Sequence, residues 1–271
     1  MIQALADMLA YDFMQRALWA ILLMMPLFSL LGTLVVNNGM SFFSDALGHS
    51  ALTGAAIGVI FGLSDPQPVM LVFAVVFALL MNSIRHSNLS STDTVIGVFS
   101  SCGVALGLVL LSRNSNFSGY QSLLIGDILA ITESQLWILA GTLAVVFVGW
   151  VLCFNGFFAT ALSPSLARSK GLPCVWLDHL FVAVMAVTVM LAVRWVGLLL
   201  INALLILPAA AARNVARGLR SYLALTLIFS LFSGLLGLVL SYLNGVATGP
   251  MIVLTVAAVF FGTFWIARHE R

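Results

Sequence analysis

Long apolar runs, separated by short polar connections, occupy most of the chain and predict membrane-spanning helices. A helix needs about 20 apolar residues to cross the hydrocarbon core of a bilayer. Two of the runs are short and only Arg194 separates two others, so we expect eight or nine spans. The nine windows are 17–36, 42–63, 68–84, 94–112, 135–154, 174–193, 195–212, 221–243 and 251–267.

The composition agrees with a polytopic membrane protein. Of the 271 residues, 62% are hydrophobic and 7% are charged, whereas about a quarter of the residues in soluble domains are charged. The only lysine, Lys170, is followed by Gly171 and Leu172, so it is not part of a GxxxxGK(S/T) phosphate loop. The chain therefore lacks that motif for ATP hydrolysis, and we expect the energy for any pumping to come from a partner or an ion gradient.

The positions of the positive charges predict the orientation of the spans, because cytoplasmic connections carry an excess of lysine and arginine. If the C-terminus is cytoplasmic, nine alternating spans place eight of these residues inside and only Arg16, Arg113 and Arg194 outside. We therefore expect an external N-terminus and a cytoplasmic C-terminus. The eight residues expected inside are Arg85, Arg168, Lys170, Arg213, Arg217, Arg220, Arg268 and Arg271.

The longest connection expected on the cytoplasmic side, 155–173, predicts a short helix at the membrane surface. Ser163 is a suitable N-cap and Pro164 suits the first helical position. Gly171 and Pro173 favour an end to the helix shortly afterwards. The segment is too short to span the membrane, so we expect it to lie along the inner surface.

The longest connection expected outside, 113–134, contains a semi-apolar stretch at 120–131. Asp127 lies in this stretch and has two interpretations. It either gates the pathway or docks an external partner, or it serves as a carboxylate at a helix start, where the helix dipole favours negative charge. Thr132 is placed to cap the following span, which begins near Glu133.

Asp45 and His49 stand out because they interrupt an otherwise small and apolar window. On a helix, residues four apart share one face and are separated by a rise of about 6 Å. An ionisable residue at membrane depth costs on the order of a few kcal/mol and needs a polar partner or a water-filled path. The two side chains therefore either satisfy each other or contribute to an ion pathway.

The neighbours of this pair favour the pathway. Ser41 and Ser44 add hydroxyl groups beside it, while Gly54, Gly58 and Gly62 form a ridge at four-residue spacing. Such a ridge allows another helix backbone to approach closely. The helix is thus expected to be tightly packed on one side and polar on the adjacent side.

The combination of a carboxylate and an imidazole indicates which ions would bind. Such a mixed set suits Zn²⁺, Mn²⁺ or Fe²⁺, whereas Ca²⁺ and Mg²⁺ prefer oxygen ligands only. One aspartate and one histidine are too few to hold a metal. A twofold dimer with this face on its axis would supply four ligands and two negative charges.

Other polar residues have structural interpretations. Asn202 lies within a span, where an interhelical hydrogen bond is favoured over a place in the pathway. Asp93 is expected to cap a helix or to pair with Arg85. Asp178 and His179 are adjacent, so on a helix they point about 100° apart and do not form a simple chelating pair.

Four stretches resemble the permeases of metal-ion ABC importers of the zinc/manganese type. In MSFFSDALGHSALTG, a serine precedes an acidic residue that is followed four positions later by histidine. The other stretches occur in the same order as in the family, and the similarity covers nearly the whole chain. A departure is Asn37-Asn38-Gly39, where many relatives carry arginines. The other three stretches are 93-DTVIGVFSSCGVALGLVLLS-112, 120-YQSLLIGDILAIT-132 and 195-WVGLLLINALLILPAAAARNVAR-217.

The resemblance implies an all-α bundle of eight to nine transmembrane helices that forms a single permease domain, 1–271, like the type II ABC importers. It implies a dimer that binds two cytoplasmic ATPase subunits and an external solute-binding protein, in the inner membrane of a bacterial cell. Asp45 and His49 would contact the transported Zn²⁺ or Mn²⁺, with iron a further possibility. No permanent cofactor, no enzymatic activity of the chain itself and no nucleic-acid partner are expected.

The resemblance also implies that the short helix near 163–171 is a coupling helix that fits a cleft on the ATPase. Replacement of Ala167 by a bulky charged residue would then uncouple uptake from ATP hydrolysis. Arg168 and Lys170 are alternatively contacts to lipid headgroups. An alternative function for the whole chain is a gradient-driven secondary metal transporter, in which Asp45 would act as a proton relay.

Overall fold

The computed structural model describes residues 10–63, 65–87, 90–112 and 125–269, and its regular elements there are all helical. The expectations placed on 113–124 and on Arg271 lie outside the described residues. A 3₁₀ turn, Ile128–Ala130, precedes the fifth helix. The ten α-helices whose bounds lie within these ranges are α1 (Asp12–Asn37), α2 (Phe43–Ile60), α3 (Gln67–His86), α4 (Thr92–Ser112), α5 (Glu133–Leu162), α6 (Pro164–Ser169), α7 (Cys174–Val196), α8 (Leu198–Val215), α9 (Leu219–Asn244) and α10 (Thr248–His269).

The polytopic helical bundle predicted from the sequence is confirmed. In the described part of the chain, seven helices are long and apolar enough to cross a membrane, namely α1, α3, α4, α5, α7, α9 and α10, and α8 is a shorter apolar helix over Leu200–Val215. The remaining predicted window corresponds to α2, which has 18 residues. Asp45 and His49 lower the mean hydropathy of α2 below that of the seven long helices, because both side chains are strongly polar.

The predicted end of the fifth span is wrong. Helix α5 continues to Leu162 instead of stopping near residue 154, so only Ser163 separates it from α6. The residues that follow the predicted end are mostly apolar, and Gly156 packs so closely on α7 that a Cβ there would lie 2.9 Å from Leu177. Tertiary packing therefore continues the helix through a segment that we interpreted as a connection.

Helix α2 packs against α3 and α4 along its length, and it also contacts α7 and α8. A Cβ added to Gly54 would lie 2.7 Å from the Cα of Met70, and one added to Gly58 would lie 2.8 Å from Pro66. These two glycines confirm the predicted ridge. Gly62 does not belong to it, because α2 ends at Ile60 and Gly62 adopts a φ of +69° in the turn that follows.

The junction between α7 and α8 is held by a close contact between two backbones. Gly126 and Gly197 have φ values of +68° and +88°, and a Cβ on Gly126 would lie 2.3 Å from the backbone nitrogen of Gly197. The backbone N–H of Asp127 donates a hydrogen bond to the carbonyl of Arg194 at 3.3 Å. Because only glycine fits both positions, this contact fixes where α8 begins, and α8 carries Asn202.

Candidate metal-translocation site

Asp45 and His49 lie in the first two turns of α2, and His49 Nε2 is 3.4 Å from Asp45 Oδ2. Their side chains keep 38% and 30% of their exposure, whereas the flanking residues Ala46, Leu47 and Gly48 are buried. The pair therefore lies on a face of α2 that the described part of the chain leaves partly open, which we call the open face.

The two serines near the pair have different surroundings. Ser41 is partly exposed before α2 begins, beside Phe42, whose side chain is 61% exposed. Ser44 is fully buried, and its hydroxyl donates a hydrogen bond to Asn202 Oδ1 on α8. The interhelical hydrogen bond predicted for Asn202 is thus confirmed, while the places of Ser41, Ser44 and Asn202 in a pathway stay predictions.

One chain provides an incomplete set of metal ligands. Among the described residues, no group of three or more histidine, cysteine, aspartate or glutamate side chains could hold a metal ion. Asp45 and His49 give one carboxylate oxygen donor group and one imidazole, whereas structural and catalytic metal sites usually have three or four protein ligands. The pair on the open face is therefore not joined, within the described ranges, by a third histidine, cysteine, aspartate or glutamate side chain placed to share a metal ion.

Asp127 is a helix-start carboxylate, as one of its two interpretations predicts. Its Oδ1 accepts a hydrogen bond of 3.0 Å from the backbone N–H of Leu129, which starts the 3₁₀ turn. Thr132 and Gln135 then form a capping box at the start of α5. Asp127 also lines a cavity of about 370 Å³ with Arg194, and its role in gating or docking stays a prediction.

The short helix predicted after Ser163 is confirmed as α6. The Ser163 hydroxyl accepts a hydrogen bond of 3.4 Å from the backbone N–H of Leu166, and α6 begins at Pro164. Gly171, with a φ of +74°, follows the helix, and its N–H donates to the carbonyl of Arg168 at 3.0 Å. These local contacts are the ones that the serine, proline and glycine predict.

The burial of Ala167 changes the expectation for α6. Its side chain is 1% exposed and therefore anchors α6 against the bundle. The surface that α6 offers to a partner consists instead of Ser165, Leu166, Arg168 and Ser169, and the Leu166 side chain is 57% exposed. A bulky charged residue at position 167 would disturb the packing of the chain itself as well as any contact with an ATPase.

Arg85 pairs with Asp178 and not with Asp93, for which helix capping is the other interpretation. Arg85 Nη2 donates to Asp178 Oδ2 at 3.4 Å, and His86 Nε2 lies 3.1 Å from the same oxygen. Asp93 is exposed in the first turn of α4. Sequence reasoning missed this cluster because it does not show that α3 and α7 are antiparallel neighbours, which brings the end of α3 beside the start of α7.

The fold and the open acid–imidazole pair define a polytopic helical membrane protein with polar groups suited to cations. The model of the family described as ABC 3 transport family matches residues 10–267. The chain therefore belongs to the ABC 3 transport family.

Individual relatives cover nearly the whole chain. The manganese import system permease protein ScaB of Streptococcus gordonii is 30% identical over 100% of this chain and 96% of its own. The high-affinity zinc uptake system membrane protein ZnuB of Haemophilus influenzae is 31% identical over 85% of this chain and 88% of its own. A chain of the solved structure of PsaBC from Streptococcus pneumoniae in complex with Fab is 30% identical, with a TM-score of 0.84 over 97% of this chain and 95% of that one.

Proposed function

We propose that this protein is the membrane permease subunit of an ATP-binding-cassette importer for manganese or zinc. The observation that carries the proposal is the open face of α2, where Asp45 and His49 lie 3.4 Å apart and partly exposed within a helical membrane protein. A carboxylate with an imidazole suits both metals. The relatives named for manganese import and zinc uptake support the same cargo.

The proposed site is completed by a second copy of the chain. A twofold axis next to the open face would bring together two Asp45 carboxylates and two His49 imidazoles. The two carboxylates would offset the charge of a divalent cation as it loses water in a medium of low dielectric constant. The cation is cargo, so its binding has to be weak enough for release.

We propose a different partner for each end of the bundle. Two ATPase subunits would bind at the cytoplasmic end through the exposed surface of α6, and an external solute-binding protein would deliver the metal at the opposite end. ATP binding and release in the partner would alternate the gates. The chain itself would perform no covalent chemistry, and it would lie in the inner membrane of a bacterial cell as a single permease domain with an external N-terminus and a cytoplasmic C-terminus.

The experiment is uptake into proteoliposomes that contain the permease, its ATPase and the solute-binding protein. Uptake by the wild type is measured with Mn²⁺, Zn²⁺ and Fe²⁺ in competition. The Asp45→Ala and His49→Ala substitutions are each expected to abolish metal uptake. Asp93→Ala and His269→Ala are matched controls, because both side chains are exposed at helix ends. Undiminished uptake by the Asp45→Ala and His49→Ala variants would contradict the proposed site.

The same vesicles distinguish the alternative of a secondary transporter. Uptake by an ATP-driven importer needs an active ATPase and persists when a protonophore removes the proton gradient. Uptake that collapses with the protonophore but continues with an inactive ATPase would favour the gradient-driven function and contradict the proposal.

A further inference from the structure

Four polar side chains join α3 to α7 at the end of the bundle that holds α6. Arg85 and His86 contact the same oxygen of Asp178, at 3.4 Å and 3.1 Å. The His86 ring stacks on the His179 ring with 6.1 Å between centroids. His179 is held in turn by Ser83, whose hydroxyl lies 3.2 Å from His179 Nε2. We call Arg85, His86, Asp178 and His179 the inner cluster.

The inner cluster is a stronger connection than an ordinary surface ion pair. The side chains of Arg85 and Asp178 are only 13% and 19% exposed, so water screens their attraction less than it does at the surface. Asp178 lies near the N-terminus of α7, while Arg85 and His86 lie in the last turn of α3. Both locations are favoured by the helix dipoles, because anions are stabilised at helix N-termini and cations at C-termini.

The inner cluster lies close in sequence and in space to α6. Residues 170–173 alone connect α6 to α7, and the backbone N–H of Leu172 donates to the carbonyl of Ala167 at 3.1 Å. A cavity of about 440 Å³ is lined by Arg168 of α6 together with Arg85, His86 and Asp178. A displacement of α6 would therefore act directly on the first turns of α7.

On its other side, the inner cluster is connected to the open face. Helix α3 packs against α2, and the two helices approach closely at Gly54, where an added Cβ would lie 2.7 Å from the Cα of Met70. Because no side chain of Gly54 separates the two helices at this contact, a movement of α3 is expected to act directly on α2. Helix α2 carries Asp45 and His49, so one route from α6 to the proposed metal ligands runs through α7, the inner cluster, α3 and α2, beside the direct contact between α7 and α2.

We infer that the Arg85–Asp178 pair, with His86, transmits the movement of α6 to the helix that carries the metal ligands. The inference rests on the proposed function, because it assumes that an ATPase moves α6. Arg85, His86 and Asp178 are positioning residues, since they act on α2 through α3 and do not bind the cargo. Without the pair, ATP hydrolysis continues but moves fewer metal ions.

The test compares metal import with ATP consumption in the complete reconstituted complex. Asp178→Asn keeps the shape of the side chain but removes its charge, and we expect about fivefold fewer ions imported per ATP hydrolysed. The matched control is Asp65→Asn, which removes the acid that lies 3.6 Å from Arg194 at the opposite end of α7 and is 56% exposed. The control is expected to keep the wild-type ratio.

A charge exchange separates transmission from mere stability. The double variant Arg85→Glu with Asp178→Arg restores an ion pair in reversed order, and we expect it to recover most of the ratio of ions to ATP. An unchanged ratio in Asp178→Asn would overturn the inference. If Asp178→Asn does not assemble, the exchange variant provides the test. A number of ions imported per ATP hydrolysed near that of the wild type supports transmission. A low number in an assembled exchange variant overturns the inference.

Failure of the proposed function gives a different result. In that case the wild-type complex itself imports no metal, or Asp45→Ala imports it at the full rate. Failure of the further inference alone leaves wild-type import intact and sensitive to Asp45→Ala, while Asp178→Asn and Asp65→Asn give the same ratio of ions to ATP.

Discussion

Two groups combine a carboxylate with nitrogen groups: Asp45 with His49 on α2, and Asp178 with Arg85 and His86 between α3 and α7. Of these two groups, the second joins two helices, whereas in the described part of the chain the first pairs residues of a single helix. Asp178 meets two partners from a neighbouring helix and is 19% exposed. Asp45 meets a histidine of its own helix and remains 38% exposed. A polar group whose partners come from a neighbouring helix of the same chain can join helices, whereas one left open can bind a ligand from outside the chain.

The difference extends to the two sides of α2. Toward α3 and α8, the helix is closed by Gly54 against Met70 and by the Ser44–Asn202 hydrogen bond. Toward the open face, it presents Asp45 and His49. The closed sides fix the orientation of the helix, and that orientation determines where the two proposed ligands point. Substitutions on the open face should consequently change mainly uptake, whereas substitutions on the closed sides should change mainly stability.

The largest effect is expected for Asp45→Asn, which keeps the size of the side chain and removes its charge. Changes to groups that only support a metal ligand cost about 10- to 100-fold, so loss of the ligand charge should lower metal uptake by about 100-fold or more. An exposed ion pair contributes about 1 kcal/mol or less to stability, so the free energy of unfolding should hardly change. Uptake assays and thermal denaturation of the purified permease in detergent measure the two quantities.

The companion of this variant is His49→Gln, which keeps Asp45 and tests the imidazole separately. We expect it to reduce uptake as well, again with little change in thermal stability. Large losses of stability in both variants would mean that the pair is structural, and the contrast with the inner cluster would then disappear.

A smaller effect, on stability, is expected for Asp178→Ala. Breaking a fully buried ion pair costs about 3 to 5 kcal/mol, because one charge is left without its partner. The Arg85 and Asp178 side chains retain 13% and 19% of their exposure, so we expect a loss of about 2 kcal/mol in the free energy of unfolding. Thermal denaturation of Asp178→Ala beside Asp45→Ala measures the difference. Equal shifts in the two variants would show that burial does not distinguish the two groups.

The helices over the nine apolar windows could be predicted because hydropathy is a local property of the chain. The caps at Ser163 and Thr132 are local features as well and could also be predicted. The proximity of Asp45 and His49 follows from helical spacing alone. The partner of Arg85 was not predictable in this way, since it depends on which helices are neighbours. The end of α5 and the burial of Ala167 also depend on contacts between elements that lie apart in the sequence.

The smallest effect is expected for Ser44→Ala, which removes the hydrogen bond from α2 to Asn202 on α8. A net loss of about 1 kcal/mol in the free energy of unfolding is expected for such a bond, together with a decrease in uptake well below that of Asp45→Asn. Ser41→Ala is the matched control, because Ser41 is partly exposed whereas Ser44 is fully buried. If Ser41→Ala lowers uptake while Ser44→Ala changes neither uptake nor the free energy of unfolding, then uptake depends on the Ser41 hydroxyl. The orientation of α2 would then not depend on the hydrogen bond to α8.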